Sequence, residues 1–352
     1  MDYASAASAA SPDRLDRASQ LEWQLDQVTT RAGVVIPVRA TARRPLWGDL
    51  PDAVHDLVAS AAGAQVVEAE SVGTGFTPGF ASRLRLQGGR DIFVKAASAS
   101  DDELHGWPLS DAYRDEVRKL TYLPAGIGAP TLLWHRDVEL AGIRWIVMGF
   151  EYVDGAPPRR PWQSRQLHLV LDKLAAIAPA LSHVPPQLEL EGIVEHLVAG
   201  FDVRLQLVRE SVGDSEWLDT VEQLCEQAAP LLDGTSIVHM DLRDDNVLLG
   251  RDETVWFVDW NWPIVGAPWI DTMCLLLSAY GDGRDVEPLL REHPLTRDVE
   301  PRAIDSLLAV LSSYFDAQII KPVPPSSPHL RDHQTWYADA VRDWLTTRLA
   351  RR

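Results

Sequence analysis

The chain reads as an α+β protein of two lobes: a small antiparallel β-sheet with one main helix, then a larger, mostly helical lobe. Three observations predict this. Between Gln65 and Met148 apolar residues come in short runs separated by turn residues, above all at Gly88-Gly89, the signature of hairpin-connected strands. The segment Phe150-Glu-Tyr-Val-Asp-Gly-Ala-Pro-Pro158 then breaks the pattern. Beyond it, apolar residues recur at three- and four-residue spacing through most of the remaining chain, as amphipathic helices require.

The elements follow in order. Residues 1–48 form an extension, disordered over about the first twenty, with a short helix over 21–30 and a strand over 34–38. A helix should start at Asp49, a good N-cap, with Pro51 in its first turn, and stop at Gly63. Strands are expected over 66–72, 82–87 and 91–95, a helix over 110–123, and strands near 131–135 and 144–148. These make residues 49–149 the small lobe and 150–158 the connecting hinge. Residues 159–352 make the helical lobe, with helices over 162–182, 192–212, 217–232, 269–280, 301–318 and 333–351 and a short β island at 236–260.

Composition excludes several classes. The net charge is −18 and no basic block exceeds a pair of arginines, so a nucleic-acid partner is not expected. Neither a membrane span nor a signal peptide is readable, and cytoplasmic residence is expected. Cys225 and Cys274 lie in apolar helical patterns without CxxC spacing, which argues against a disulfide framework or a zinc site.

The β island carries the chemistry. It contains Ile237-Val-His-Met-Asp-Leu-Arg-Asp-Asp-Asn246, then Val255-Trp-Phe-Val-Asp259. The turn Gly250-Arg-Asp-Glu between two apolar strands would bring Asn246 and Asp259 together. Nucleotide-dependent phosphoryl transfer needs a metal on the phosphates, oxygen ligands for it, and a base near the attacking hydroxyl. Asn246 and Asp259 supply hard oxygen ligands for Mg²⁺, and Asp241 is placed to accept the hydroxyl proton. His239 is expected to brace the loop, and Asp271 to tie it to the next helix. Arg243 would either neutralise charge near the γ-phosphate or pair with Asp244 or Asp245.

The pattern His239-x-Asp241-x-x-x-x-Asn246 followed by Asp259 resembles the catalytic and metal-binding segments of the protein-kinase-like superfamily. With Trp260 after Asp259, and Gly266-Ala-Pro-Trp-Ile-Asp271 downstream, it is most similar to the aminoglycoside phosphotransferase branch. The resemblance implies a bilobal kinase fold and a phosphoryl donor, ATP or GTP. Lys95 would bind phosphate, with Glu116 as its ion-pair partner and Asp115 as the competing candidate. Gly73 and Gly75 would belong to a flexible loop over the phosphates, and Glu151 and Val153 of the hinge would contact the base. The chain departs from the family at Met240 and Asp245, where glycine is common.

The implied acceptor is a small-molecule hydroxyl, most readily that of an aminoglycoside-type or other antibiotic, with amino sugars, choline and homoserine as the metabolic alternative. Acidity would suit a cationic acceptor, and Glu189, Glu191, Glu195, Asp202, Asp282, Asp285, Trp262 and Trp269 are candidate walls. A protein kinase is disfavoured, because Asp259 leads to the next helix within about a dozen residues, and so is a non-catalytic nucleotide-binding protein, because Asp241, Asn246 and Asp259 are all present. Monomer and homodimer are both compatible with the sequence.

Overall fold

The structure, a computed structural model, describes residues 27–30, 33–38, 42–105 and 107–351. The extension expected to be disordered lies outside the described residues, but its end does not. Gln27–Thr29 (β1) is a strand paired antiparallel with Val35–Pro37 (β2), so the helix expected over 21–30 does not reach these residues. Helix α1 spans Asp52–Ala62, three residues later than its expected cap. Asp49 instead closes a single turn at Trp47–Asp49, where its carboxylate accepts the Leu46 amide at 2.8 Å. Pro51 precedes α1, and Gly63 ends it at φ 76°, a left-handed conformation that costs glycine nothing.

Five strands form the sheet of the small lobe: β3 (Val66–Ser71), β4 (Phe80–Leu86), β5 (Asp91–Ser98), β6 (Leu132–Leu140) and β7 (Ile143–Glu151), in the order β3-β4-β5-β7-β6. Every neighbouring pair is antiparallel. The period-2 rule divides their side chains between two cores. Ile92, Val94, Ala96, Trp145 and Val147 pack with Val54 and Val58 of α1. On the other face Ile146, Met148 and Phe150 pack with Leu109, Tyr113 and Val117 of α3, Leu109–Tyr122. A short α2, Ala99–His105, which the sequence reading missed, precedes α3. Two glycines are dictated by close approach. A Cβ on Gly79 would stand 2.5 Å from the Tyr113 hydroxyl, and one on Gly149 would stand 2.3 Å from the Trp134 ring.

After β8 (Gly155–Ala156) come α4 (Ser164–Leu181), α5 (Phe201–Val212), α6 (Glu216–Cys225) and α7 (Ala228–Leu232). Two expected helices are therefore broken. Gly200, at φ 80°, separates α5 from a wide turn over Val194–Val198, and Glu226-Gln227 separates α6 from α7. The β island comprises β9 (Ser236–Val238), β10 (Val247–Gly250) and β11 (Val255–Phe257), followed by β12, Ile264–Gly266. Strand β10 also pairs with β8, so the segment leaving the small lobe is stitched to the hairpin that carries the motif. Then come α8 (Ile270–Gly281), α9 (Glu287–Glu292), α10 (Pro301–Ile319) and α11 (Leu330–Leu349). One core holds this lobe, built around fully buried Trp162, Trp260, Trp336 and Trp344.

Two ties bind the chain's early and late segments. The Arg43 amide donates to the Ser326 carbonyl at 2.7 Å, and His333 Nε2 lies 2.9 Å from the Pro37 carbonyl oxygen. Burial and the nearby Arg243 cation push the His333 imidazole down to about 4, against the pull of Asp244 and the Pro37 carbonyl. The sign follows directly. Between about pH 4 and 6.5 the unfolded chain binds a proton that the native state refuses, so stability is present above 6.5 and falls as acid approaches 4. Arg160, Phe76 and Asp244 also face this ring. His333→Gln, which keeps an N–H donor for Pro37, should remove on the order of 1 kcal/mol of the stability lost between pH 7 and pH 5. Urea midpoints of both proteins at the two pH values test this, and parallel shifts would contradict it.

Candidate active site

The cleft holds a cavity of about 460 Å³ between the sheet, the hinge and the β10–β11 hairpin. Eight of the ten candidate residues line it: Gly73, Gly75, Lys95, Glu116, Glu151, Val153, Asn246 and Asp259. Asp241 and Arg243 sit just past Asn246, outside that lining. The Asn246 amide nitrogen spans the gap, donating to the Asp241 carbonyl at 2.7 Å and to its carboxylate at 3.1 Å.

Lys95 lies on β5 opposite Ala81 and Met148, on the face toward α3. Its ammonium donates to both carboxylate oxygens of Glu116, at 2.8 and 2.9 Å, and to Asp259 Oδ1 at 2.8 Å. The ambiguity between the two acids of α3 is thereby resolved. One position along the helix turns the side chain by about 100°, and Asp115 pairs with Arg118 and Lys119 instead. Burial opposes the Lys95 charge, but Asp259 and Glu116 more than offset it and hold the ammonium protonated above its usual range. Burial raises the Glu116 carboxyl despite Lys95. Asp259 resists the same burial, because Lys95 attracts and hydrogen-bonds it, and it stays below the ordinary carboxylate range.

The motif loop is braced as its sequence suggests. The buried His239 ring contacts the Val258 carbonyl at 2.9 Å through Nε2. The Asp271 carboxylate accepts the His239 amide at 2.8 Å and the Met240 amide at 3.0 Å. Those two bonds explain the departure at Met240, whose φ is 67°. A glycine takes that conformation freely, whereas another residue gives up about 1–2 kcal/mol. Here the paired bonds to Asp271 hold the backbone in place. Asp259, at φ 65°, is of a residue type that tolerates the left-handed region.

Of its expected pairings Arg243 makes the one with Asp245. It donates to Asp245 at 2.6 Å and approaches Asp241 at 3.4 Å, with its guanidinium 5.0 Å from the Phe76 ring centroid. Asp244 pairs with Arg160 instead. Burial pushes the Asp245 carboxyl up to about 6 despite Arg243, and the pairing with Arg243 offsets the charge that this departure from glycine adds.

Of the candidate acceptor walls, two are ruled out by packing. Trp269 is buried in the helical core, and the Asp282 side chain is fully buried in an ion pair with Arg160 at 2.6 Å. Glu191 lies 3.0 Å from His196. Trp262 stays exposed, with Lys119 over its ring. Cys225 is buried and Cys274 half-buried, and both are free thiols.

The donor set suits Mg²⁺. Asn246 and the residue before Asp259 face each other across the hairpin, with the Val258 amide donating to the Asn246 carbonyl at 3.0 Å. One amide oxygen and one carboxylate on a shared cavity wall match an ion that keeps several waters and takes phosphate oxygens. No cluster of three or more His, Cys, Asp or Glu side chains able to hold a metal occurs among the described residues. No helix among them is long and apolar enough to cross a membrane.

Sequence reasoning missed Arg44 and Arg160. Arg44 also lines the cavity, and Arg160 joins Asp244 to Asp282 beneath the motif loop. Neither lies in a recognisable motif.

A model of the phosphotransferase enzyme family APH matches residues 83–309. No protein of curated function matches the chain in sequence. Among solved structures the chain is similar to aminoglycoside 2'-phosphotransferase-IIIa in complex with GDP, at 14% identity over 85% of this chain and 97% of that one, TM-score 0.56. It is similar also to a thermostable mutant of the aminoglycoside phosphotransferase APH(4)-Ia in ternary complex with ADP and hygromycin B, at 13% identity over 85% and 98%, TM-score 0.55. A third likeness is to the choline kinase LicA from Streptococcus pneumoniae, at 14% identity over 86% and 99%, TM-score 0.50. These likenesses show a shared protein-kinase-like, two-lobed fold. The family match runs from the second strand of the sheet into α10, through Lys95, Glu116 and the whole motif loop, and this chain belongs to the APH phosphotransferase enzyme family, as a kinase whose acceptor is the hydroxyl of a small molecule.

Proposed function

We propose that the chain transfers the γ-phosphoryl group of ATP or GTP to a hydroxyl of an aminoglycoside-type or other antibiotic. The observation that carries the reading is that Lys95, paired with Glu116 and Asp259, lines one cavity together with Asn246, whose amide in turn holds Asp241. In this reading residues 49–149 hold the nucleotide, residues 150–158 are the hinge, and residues 159–352 carry the motif loop and the acceptor. Asn246 and Asp259 would hold Mg²⁺, whose charge would neutralise that of the phosphates.

The protein's own groups divide the remaining work. Glu151 and Val153 line the end of the cavity formed by the hinge, where main-chain groups receive the base. Gly73 and Gly75 let backbone amides approach phosphate, because no side chain intervenes. Lys95 neutralises phosphate charge, held in place by Glu116. Asp241 takes the proton of the acceptor hydroxyl, and Asn246 and Arg243 fix its carboxylate. Arg243 also brings a positive charge to the side of Asp241, where the γ-phosphoryl group arrives. The acceptor lies beyond Asp241 against the helical lobe, and the surplus of acidic residues favours a cationic one.

Two measurements test the reading. Purified protein with Mg²⁺ and ATP or GTP, screened by coupled release of the diphosphate against aminoglycosides, other antibiotics and amino alcohols, should turn over with an antibiotic. Turnover confined to choline, amino sugars or homoserine would move the function to metabolism. Asp259→Ala should weaken Mg²⁺-dependent nucleotide binding by about tenfold or more. Unchanged affinity in the presence of Mg²⁺ would remove Asp259 as a ligand.

A further inference from the structure

Arg44 stands apart from the other cations of the cleft. Lys95 is saturated by two carboxylates. Arg83, at the hinge end, is taken up by Asp91 and Glu70. Arg44 lines the same cavity, yet none of the ion pairs among the described residues includes it. Among the described residues its protein acceptor is the Val72 carbonyl, which takes Nη1–H at 3.0 Å. Its Nε is buried with no hydrogen-bond partner.

The guanidinium is also held at the right place. A Cβ added to Gly75 would stand 3.2 Å from Arg44 Nη2, so the group lies directly against the glycine-rich turn between β3 and β4. Arg43, the residue before, is anchored through its amide to Ser326 of the helical lobe at 2.7 Å. Burial depresses the Arg44 guanidinium, and Tyr113, Asp259 and Asp245 only partly restore it. A sequestered guanidinium with an unused N–H costs stability until an anion meets it. The planar donor array of arginine is suited to phosphate oxygens.

We propose that Arg44 is a phosphate-binding residue of the nucleotide site, donating through its Nη2 edge to the terminal phosphates of the bound triphosphate. This rests on the kinase reading above and adds to it a residue outside the segment 83–309 that the family model matches. The segment preceding α1 is then part of the active site. Its fastening to Ser326 keeps the guanidinium over the cavity while the glycine-rich turn is free to adjust. Among the described residues the Val72 carbonyl takes Nη1–H, while Nη2 lies against the glycine-rich turn.

The test is binding of ATP, ADP and adenosine, with Mg²⁺, to full-length wild type, Arg44→Gln and Arg44→Lys, each checked for an unchanged melting profile. Arg44→Gln should weaken ATP by about tenfold or more, as for loss of a charge-assisted hydrogen bond. It should weaken ADP less and leave adenosine unchanged, and Arg44→Lys should recover part of the loss. Equal weakening of all three ligands would show that Arg44 only braces the turn, and unchanged ATP affinity would show that it does not reach phosphate. Either result overturns the proposal while the kinase reading stands. Wild type that binds neither these three nor GTP, GDP and guanosine sinks both. Should Arg44→Gln fail to fold, Arg44→Lys decides, because an ammonium on a flexible stem cannot donate from two fixed edges. It should then separate ATP from adenosine, and affinities matching wild type for all three would overturn the proposal.

Discussion

Asp241→Asn should lower turnover with the acceptor found in the screen by roughly two to four orders of magnitude, the usual contribution of a positioned general base. Nucleotide affinity should be unchanged, since Asp241 does not line the nucleotide cavity. The substitution is chosen for its geometry. An asparagine side-chain oxygen still accepts from Asn246 Nδ2 and still faces Arg243, as the carboxylate does at 3.1 and 3.4 Å. What disappears is the capacity to take a proton. A rate within about threefold of wild type would remove Asp241 as the base, because even a weak general base contributes more than that. A matching loss of nucleotide affinity would instead assign it to the nucleotide site.

Arg160→Leu should cost about 3–5 kcal/mol of stability, the range for removing one partner of a buried ion pair. The Arg160 side chain is 3% exposed, with Asp244 and Asp282 beside it at 8% and 0%. Its guanidinium also lies 4.8 Å from the Trp336 ring centroid. Leucine leaves two carboxylates near each other in the core, with the Trp162 amide on Asp282, and the Ser278 hydroxyl and the nearby Arg243 charge on Asp244, as partial compensation. The triple variant with Asp244→Asn and Asp282→Asn should recover much of the loss, since amides carry no charge to bury. Equilibrium denaturation of the two variants measures both effects. A single-variant loss below about 1 kcal/mol, typical of a surface pair, would show that the cluster is solvated.

The parts of the fold that were legible are those whose cause is local. The Gly88-Gly89 turn joins β4 to β5 because both residues must take positive φ, 98° and 88°, and glycine does so freely. The order of Lys95, Glu116, Asn246 and Asp259 was readable because Lys95 and Glu116 lie on elements with a clear period, while Asn246 and Asp259 border the two strands of the β10–β11 hairpin, which closes the distance between them. Glu116 and Asp115 were not separable by order, only by which side of α3 faces the sheet. Three errors have separate causes. The helix expected over 192–212 is interrupted at Gly200, whose positive φ no periodic count registers. Asp49 satisfies a turn of its own before α1 begins. Asp282, read as a candidate wall for a cationic acceptor, is consumed by an arginine 122 residues away. Pairings of that span leave no local trace, and Arg44 escaped notice for the same reason.

The tie between Pro37 and His333 joins residues 296 positions apart, and α11 brings Trp336 and Trp344 into the centre of the helical lobe. Trp344 stacks on Tyr280 of α8 at 5.1 Å, and Arg348 pairs with Asp305 of α10 and Glu287 of α9. A chain emerging from the ribosome therefore carries α8 and α10 for some time before the helix that covers them exists. The small lobe, whose sheet closes within residues 66–151, can assemble early from near neighbours. The helical lobe must wait for contacts of high sequence separation, which form slowly and leave apolar surface open meanwhile. Synthesis thus proceeds with one lobe complete and the other dependent on its final helix.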